Sequence, residues 1–427
     1  MDYPEELLHF IWRNRLYNQD NLKTTEGEAL KIINVGRHNS DAGPDFEFAT
    51  IQLGKVRWTG HIEIHVREDS WLRHGHHLDP RYSATILHVV WDRGVLSNIR
   101  YDGTSIPTFV LSDYVDPQLL ARYDYLRKQS REIACEGQLK EVVPFVRPGW
   151  LERLAIERLE EKYHRCHDWL TSTKQDWERV LLITLGRAMG TNINGVAFEE
   201  LMGRIEPKLL YKYNTDPEKI AAILFGNAGF LNVDPTDDYF ALLKQEYYIL
   251  QRLYSLECMS PTHWKFMRTR PYNFPTYRLA QLSAMICLTG HWFEKIRSIA
   301  ELQELFELIR SAKVDEYWRT HFRFGIPTKQ HSTKWSNTFL YNLAINCFIP
   351  VLFSYGQFVS DEQLKYRALS WLEQIPAEEN AVIRYYKHHG ISCMSAMDSQ
   401  ALLLLRNNYC SQKKCLDCAI GSAILNL

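Results

Sequence analysis

Apolar positions recur at helical spacing in the opening segment "PEELLHFIWRNRLY", where Leu8, Ile11, Trp12 and Leu16 share a face and Pro4 stands where helices open. The pattern then changes period. "ALKIINVG", "FEFATIQL", "VRWTGHIEIHV" and "SATILHVVWD" are short, rich in β-branched and aromatic residues, and bounded by Gly, Asp, Asn or Pro, which predicts four strands. Between the last two, Ser70–Arg73 predicts a short helix that Gly75 and Pro80 prevent from growing. "DGTSIPTFVLSDYV" adds a possible edge strand, and Asp116 with Pro117 predicts a capped helix start.

From about Arg147 the helical period returns and stays. In "WLERLAIERLEEKYHRCHDWL", Leu151, Leu154, Ile156, Leu159 and Tyr163 approximate one apolar face with charges between them. No self-similar period marks a regular solenoid. The expected architecture is therefore an α+β domain over residues 1–130, followed by a large all-α domain over 147–427 that includes a C-terminal cysteine cluster. At 427 residues the chain exceeds the roughly 250 to 300 at which single cores stop growing, which agrees with two domains.

Charge adds little: 50 basic against 51 acidic residues leave no global footprint for nucleic acid, so any basic surface is local. The first residues carry acid where a targeting peptide carries base, and the nine cysteines are odd in number, so reduced thiols and a cytoplasmic location are expected. The most apolar run, "FLYNLAINCFIPVLFSYG", is broken by Asn342, Asn346 and Pro350; it predicts a buried core helix and no membrane partner.

Chemistry concentrates in the third strand. Side chains alternate along it, so Arg57, Thr59, His61, Glu63 and His65 share one face while Val56, Trp58, Ile62, Ile64 and Val66 form the other. A strict two-residue loop at Gly54 and Lys55 pairs Asp45 with Ile64, whereas a longer or bulged connection pairs it with Glu63 or His65. In the second register two carboxylates meet, an arrangement that suits Mg²⁺ or Mn²⁺. In the alternative, Asp45 caps a turn and Glu63 pairs with Arg57 or Arg67 on a solvated face. Gly60 within a strand marks a close approach of backbone or ligand.

A helix carrying Glu, a strand pair carrying Pro44-Asp45, and Glu63-Ile64-His65 on the next strand resemble the PD-(D/E)xK nuclease superfamily over about residues 1 to 95. The resemblance implies an αβββαβ, restriction-endonuclease-like core, with Glu6 (or Glu5), Asp45, Glu63 and His65 catalytic and a divalent ion at Asp45 and Glu63. His65 stands where the superfamily has lysine; an imidazole there acts as base or ligand, or the activity is lost. Through "GPDF", "WTGHIEIHV", "ILHVVW" and "YCSQKKCLDCAIG", nearly the whole chain also resembles an uncharacterised bacterial family, domain of unknown function 2851.

Three further clusters stand out. His61, His65, His74, His76, His77 and His88 crowd one short region beside Asp79; a zinc or iron site could use His65, His74 and His88 with Asp79, or the segment is a polar surface loop. Cys410, Cys415 and Cys418 supply three thiols, with Cys393, His388 and His389 as candidates for a fourth donor to zinc or an iron–sulfur cluster; otherwise they are buried thiols. Arg268, Arg270 and Arg278, interleaved with aromatics, are candidate nucleic-acid contacts or loop residues bonding carbonyls. The expectations that follow are a metal-dependent phosphodiesterase acting on nucleic acid, an inactive scaffold whose helical domain recruits nucleic acid or a protein partner, and a histidine-ligated metallohydrolase.

Overall fold

A computed structural model describes residues 3–94, 98–129, 132–142 and 149–427. The chain divides into two compact units: one comprises Met1–Arg147, His389–Ile391 and Leu405–Leu427, the other Pro148–His388 and Ser392–Leu404. The sequence reading assigned the chain end to the helical domain. It packs instead with the N-terminal unit, so the helical unit is an insertion. The expected boundary at 147 lies outside the described residues.

The N-terminal unit is α+β. Helix α1 (Glu5–Arg13) follows Pro4, has Glu5 and Glu6 in its first turn and Arg13 in its last, and buries Leu7, Leu8, Phe10, Ile11 and Trp12. The sheet contains β1 (Leu30–Asn34), β2 (Arg37–His38), β3 (Phe46–Leu53), β4 (Val56–Arg67), β5 (Thr85–Asp92) and β6 (Thr108–Val110). Its order is β1-β3-β4-β5-β6, with β2 also on β3. β3 and β4 are antiparallel, whereas β4, β5 and β6 run parallel. Seven of the eight residues of β5 are buried, as expected of a parallel strand covered on both faces. The short helix α2 (Ser70–Arg73) and two single 3₁₀ turns, His76–Leu78 and Pro80–Tyr82, connect β4 to β5. Helix α3 (Pro117–Lys128) is capped by Asp116, whose Oδ1 accepts from Gln118 N–H at 2.8 Å.

The β3–β4 turn is the strict two-residue loop, with Leu53 opposite Val56 and Gly54 at φ +55°. Yet the register does not run through. Ala49 faces Gly60 while Phe46 faces Ile62, so β3 carries one extra residue, and Phe48 adopts φ +57° with its ring exposed. This bulge carries Asp45 to the level of Glu63. Gly60 is needed for backbone clearance: a Cβ there would lie 2.4 Å from the Ala84 carbonyl and 2.5 Å from Ile86 Cγ2. The expected apolar face of β4 is covered only in part, since Val56 and Trp58 are exposed and Ile62 and Ile64 are buried.

The second unit is helical. Its long helices include α4 (Gly149–Ser172) and α5 (Trp177–Arg204), the latter interrupted at Thr191 (φ 53°, ψ −156°). The apolar segment Asn337–Phe358 is long enough to cross a membrane by composition, but 78% of its most apolar window is buried. Its polar interruptions are satisfied locally: Asn342 Nδ2 donates to Ala188 O at 3.1 Å and Asn346 Nδ2 to Asn342 O at 3.1 Å. Two short strands, His321–Arg323 and Ile326–Pro327, form a hairpin that the helical pattern did not predict.

Candidate metal centre

Strand β4 presents Glu63 and His65 on one face, and both are buried. The bulge in β3 sets Asp45 against them. Asp45 N–H donates to Glu63 Oε2 at 3.1 Å, and Ile64 N–H donates to Asp45 Oδ2 at 2.8 Å, so each carboxylate is held by the other strand's backbone. The solvated alternative therefore fails: Glu63 is 5% exposed, and Arg67 pairs with Asp69 at 3.1 Å.

The loop after β4 folds two histidines, His74 and His76, onto this face beside His65. Ligand atoms of His65, His74 and His76 all lie within 4.8 Å of one another. His74 Nδ1 is 3.2 Å from His65 Nε2, and Glu63 Oε1 stands 3.2 Å from His76 Nε2 and 3.5 Å from His65 Nε2. Trp71 and Tyr82 fix the His76 ring, at centroid distances of 5.3 and 4.0 Å. His76 Nε2 is buried without hydrogen-bond geometry to any partner. That is an orphaned buried nitrogen facing a carboxylate, which suits a metal ligand.

Behind His65 lies a relay. His65 Nδ1 is 2.9 Å from His88 Nε2, and His88 Nδ1 is 2.8 Å from the Asn98 amide, whose Oδ1 lacks a partner. Turning that amide over lets Oδ1 accept from His88 Nδ1–H. His88 Nε2 then accepts from His65 Nδ1–H, and the His65 Nε2 lone pair faces Glu63, His74 and His76. His88 thus supports the cluster from behind.

The electrostatics agree. Burial, then the Asp45 charge, raise the Glu63 carboxyl to about 9. Burial, then neighbouring histidines beginning with His88, hold His65 far below its usual value; burial and His76 bring His88 down to about 3. Burial lowers His76 against the pull of Asp45. Imidazoles of His65 and His76 that burial keeps from protonation, beside an acid whose ionisation burial disfavours, are a donor set suited to a cation. Three nitrogens and one carboxylate fit a transition metal such as zinc, iron or manganese better than magnesium.

Helix α1 contributes His9, whose Nε2 is 3.3 Å from Asp45 Oδ2. This is an ion-pair separation with angles too poor for a hydrogen bond. Burial alone would lower His9, but Asp45, Glu5 and Glu63 outweigh it and raise it. Glu5 is thus the α1 acid whose charge reaches the cluster, whereas Glu6 is exposed and acts on Tyr123. A cavity of about 340 Å³ opens beside His9, with Arg13, His38, Arg127, Lys413 and Lys414 in its walls.

The remaining candidates lie elsewhere. Asp79 accepts from Arg81 Nη2 at 2.6 Å and caps its own turn, so it is not in the histidine cluster. His61 packs on Phe48, and His77 Nδ1 has no partner. In the helical unit Arg268 and Arg270 are exposed, but Arg278 is buried, donating to Gln281 Oε1 and Asn273 Oδ1 at 2.6 Å and stacking 3.2 Å over Phe339. Cys393 belongs to the helical unit, with Sγ 3.5 Å from Ser399 Oγ, while Cys410, Cys415 and Cys418 belong to the N-terminal unit. His388 falls in the former and His389, which meets Glu136 at 3.4 Å, in the latter. Sequence reasoning missed His9, His76 as a ligand, and Asn98. His9 had a signal in its position four residues after Glu5, one turn along the same face.

Comparison with curated proteins and with solved structures returns no match. A family model described as "Protein of unknown function (DUF2851)" matches residues 5–381, which covers α1, every strand of the sheet, the histidine cluster and most of the helical unit; the chain belongs to that family.

Proposed function

We propose that the protein is a metal-dependent hydrolase of phosphodiesters, with nucleic acid as its substrate class. The observation that carries this reading is the convergence of His65, His74 and His76 within 4.8 Å, with Glu63 Oε1 3.2 to 3.5 Å from two of them. A metal bound there would polarise a phosphoryl oxygen and acidify a water. Glu63 would be its oxygen ligand, and His88 with Asn98 would hold the His65 tautomer. Asp45, held by the Ile64 N–H and paired with His9, is the carboxylate outside the ligand set from which proton transfer would run. Helix, three antiparallel strands, short helix and parallel strand follow in the αβββαβ order of the PD-(D/E)xK nucleases, with His65 in the lysine position. Arg13, Arg127, Lys413 and Lys414 around the neighbouring cavity suit a phosphate backbone.

The test is metal analysis of the purified chain together with cleavage of plasmid and oligonucleotide by the Mn²⁺-, Zn²⁺- or Mg²⁺-loaded protein. Asp45→Asn and Glu63→Gln should each slow cutting by about 10³-fold, and His74→Ala should release the metal. Cutting by the Asp45 and Glu63 variants at the wild-type rate would end the proposal.

A further inference from the structure

In the helical unit a cavity of about 580 Å³ opens where Thr191 interrupts α5, walled also by the 3₁₀ turn Pro271–Asn273, helix Pro275–Ile286 and helix Asn337–Leu343. That volume lies within the about 300 to 1,000 Å³ of small-molecule sites. Arg278 lines it, 6% exposed, with its guanidinium 3.2 Å over the Phe339 ring. Its two terminal nitrogens donate to Gln281 Oε1 and Asn273 Oδ1, both at 2.6 Å, so packing and neutral amides fix the group in place. Its charge is left over. Among the described residues no carboxylate pairs with Arg278 or lines the cavity, and Arg270 and Lys334, exposed in the same wall, have side chains without an ion pair or hydrogen bond. Three cations therefore surround one space with no acid among them, an arrangement that is costly until an anion stands there.

The rest of the wall agrees. Gln281 and Asn273 give their oxygens to Arg278, so each has its NH₂ group left to offer, and Ser332 and Thr338 add hydroxyls. Thr191 holds φ 53° and ψ −156°, a strained conformation for a β-branched residue and one that gathers at binding sites. We infer that this cavity binds a nucleotide, whose phosphates neutralise Arg278, Arg270 and Lys334 and whose base stacks on Tyr272, a wall residue 44% exposed. Phosphate is favoured over a lone carboxylate by charge, since three cations call for more than one negative charge and the surplus of N–H and O–H donors suits several oxygens. A small ligand is favoured over a single strand by shape. The cations ring one concave space and the innermost is buried, whereas a strand is tracked along a groove of exposed cations.

The experiment is titration calorimetry of the full-length chain with ATP, pyrophosphate and a single-stranded oligonucleotide, at constant ionic strength and without added divalent metal. One ATP per chain is expected, bound about tenfold more tightly than pyrophosphate because only ATP has a base to stack. The double variant Arg270→Ala, Lys334→Ala changes exposed side chains and should weaken ATP about 100-fold, and Tyr272→Ala should weaken it about tenfold. The metal-centre variant His74→Ala should bind ATP as the wild type does. Should Arg278→Met fold, it loses ATP as well; should it not, the exposed pair decides. No binding of ATP, full binding by the double variant or by folded Arg278→Met, loss of binding in His74→Ala, pyrophosphate as tight as ATP, or an oligonucleotide held more tightly than ATP through these residues would each overturn the inference.

Discussion

Both units bury ionisable side chains, but they treat them differently. In the helical unit half-buried Lys162 donates to Ile345 O at 2.9 Å and Gln400 Oε1 at 3.3 Å, and buried Arg278 has oxygens at both terminal nitrogens and a ring beneath it, with only Nε lacking a partner. In the sheet, Glu63 meets imidazole nitrogens without hydrogen-bond geometry, and the Asp45 charge works against it. Burial met by partners is architecture. Burial that sets an acid against ring nitrogens without hydrogen bonds between them marks a candidate site.

The sharpest way to break that contrast is to neutralise the sheet carboxylates. Glu63→Gln and Asp45→Asn should each lower metal-dependent hydrolysis by about 10³-fold, measured as initial cleavage rates at saturating metal. Next comes the metal-free chain. Because the folded Glu63 carboxyl is raised to about 9 from the ordinary carboxylate range, the folded state keeps a proton the unfolded state has lost. Stability should fall as pH climbs between those values, and Glu63→Gln should flatten that slope in urea titrations. Equal slopes in the two proteins would mean that Glu63 is ionised without a cation.

Smaller effects sharpen the comparison. His88→Ala removes only the support of His65, so metal affinity should weaken 10 to 100-fold by competition with a chelator, without loss of the fold. Smallest, Lys162→Met leaves two carbonyl-type oxygens without a donor and should cost about 1 to 2 kcal/mol in thermal unfolding, with metal content unchanged. Metal loss in Lys162→Met would show that the two units do not divide their roles in this way.

Local pattern carried much of this structure. The period change from 3.6 to 2 marked α1 and the main strands, alternation set Glu63 and His65 on one face, and Asp116 announced its helix. What escaped depends on geometry that composition does not encode. The β3 bulge turns on a phenylalanine at positive φ, a conformation that no residue preference marks at Phe48. Glu5 and Glu6 are equivalent in sequence but 100° apart on the helix, and only the docking of α1 chooses between them. His76 sits in a 3₁₀ turn after the left-handed Gly75, where neither helical nor strand periodicity reports direction.

The interleaving of the two units also has a temporal side. During synthesis the helical unit, Pro148–His388 with Ser392–Leu404, has emerged before Leu405–Leu427 exist, so its helices can fold before the N-terminal unit receives its last segment. A nascent chain that ends short of residue 405 carries the histidines and carboxylates but not the lysines that wall the neighbouring cavity.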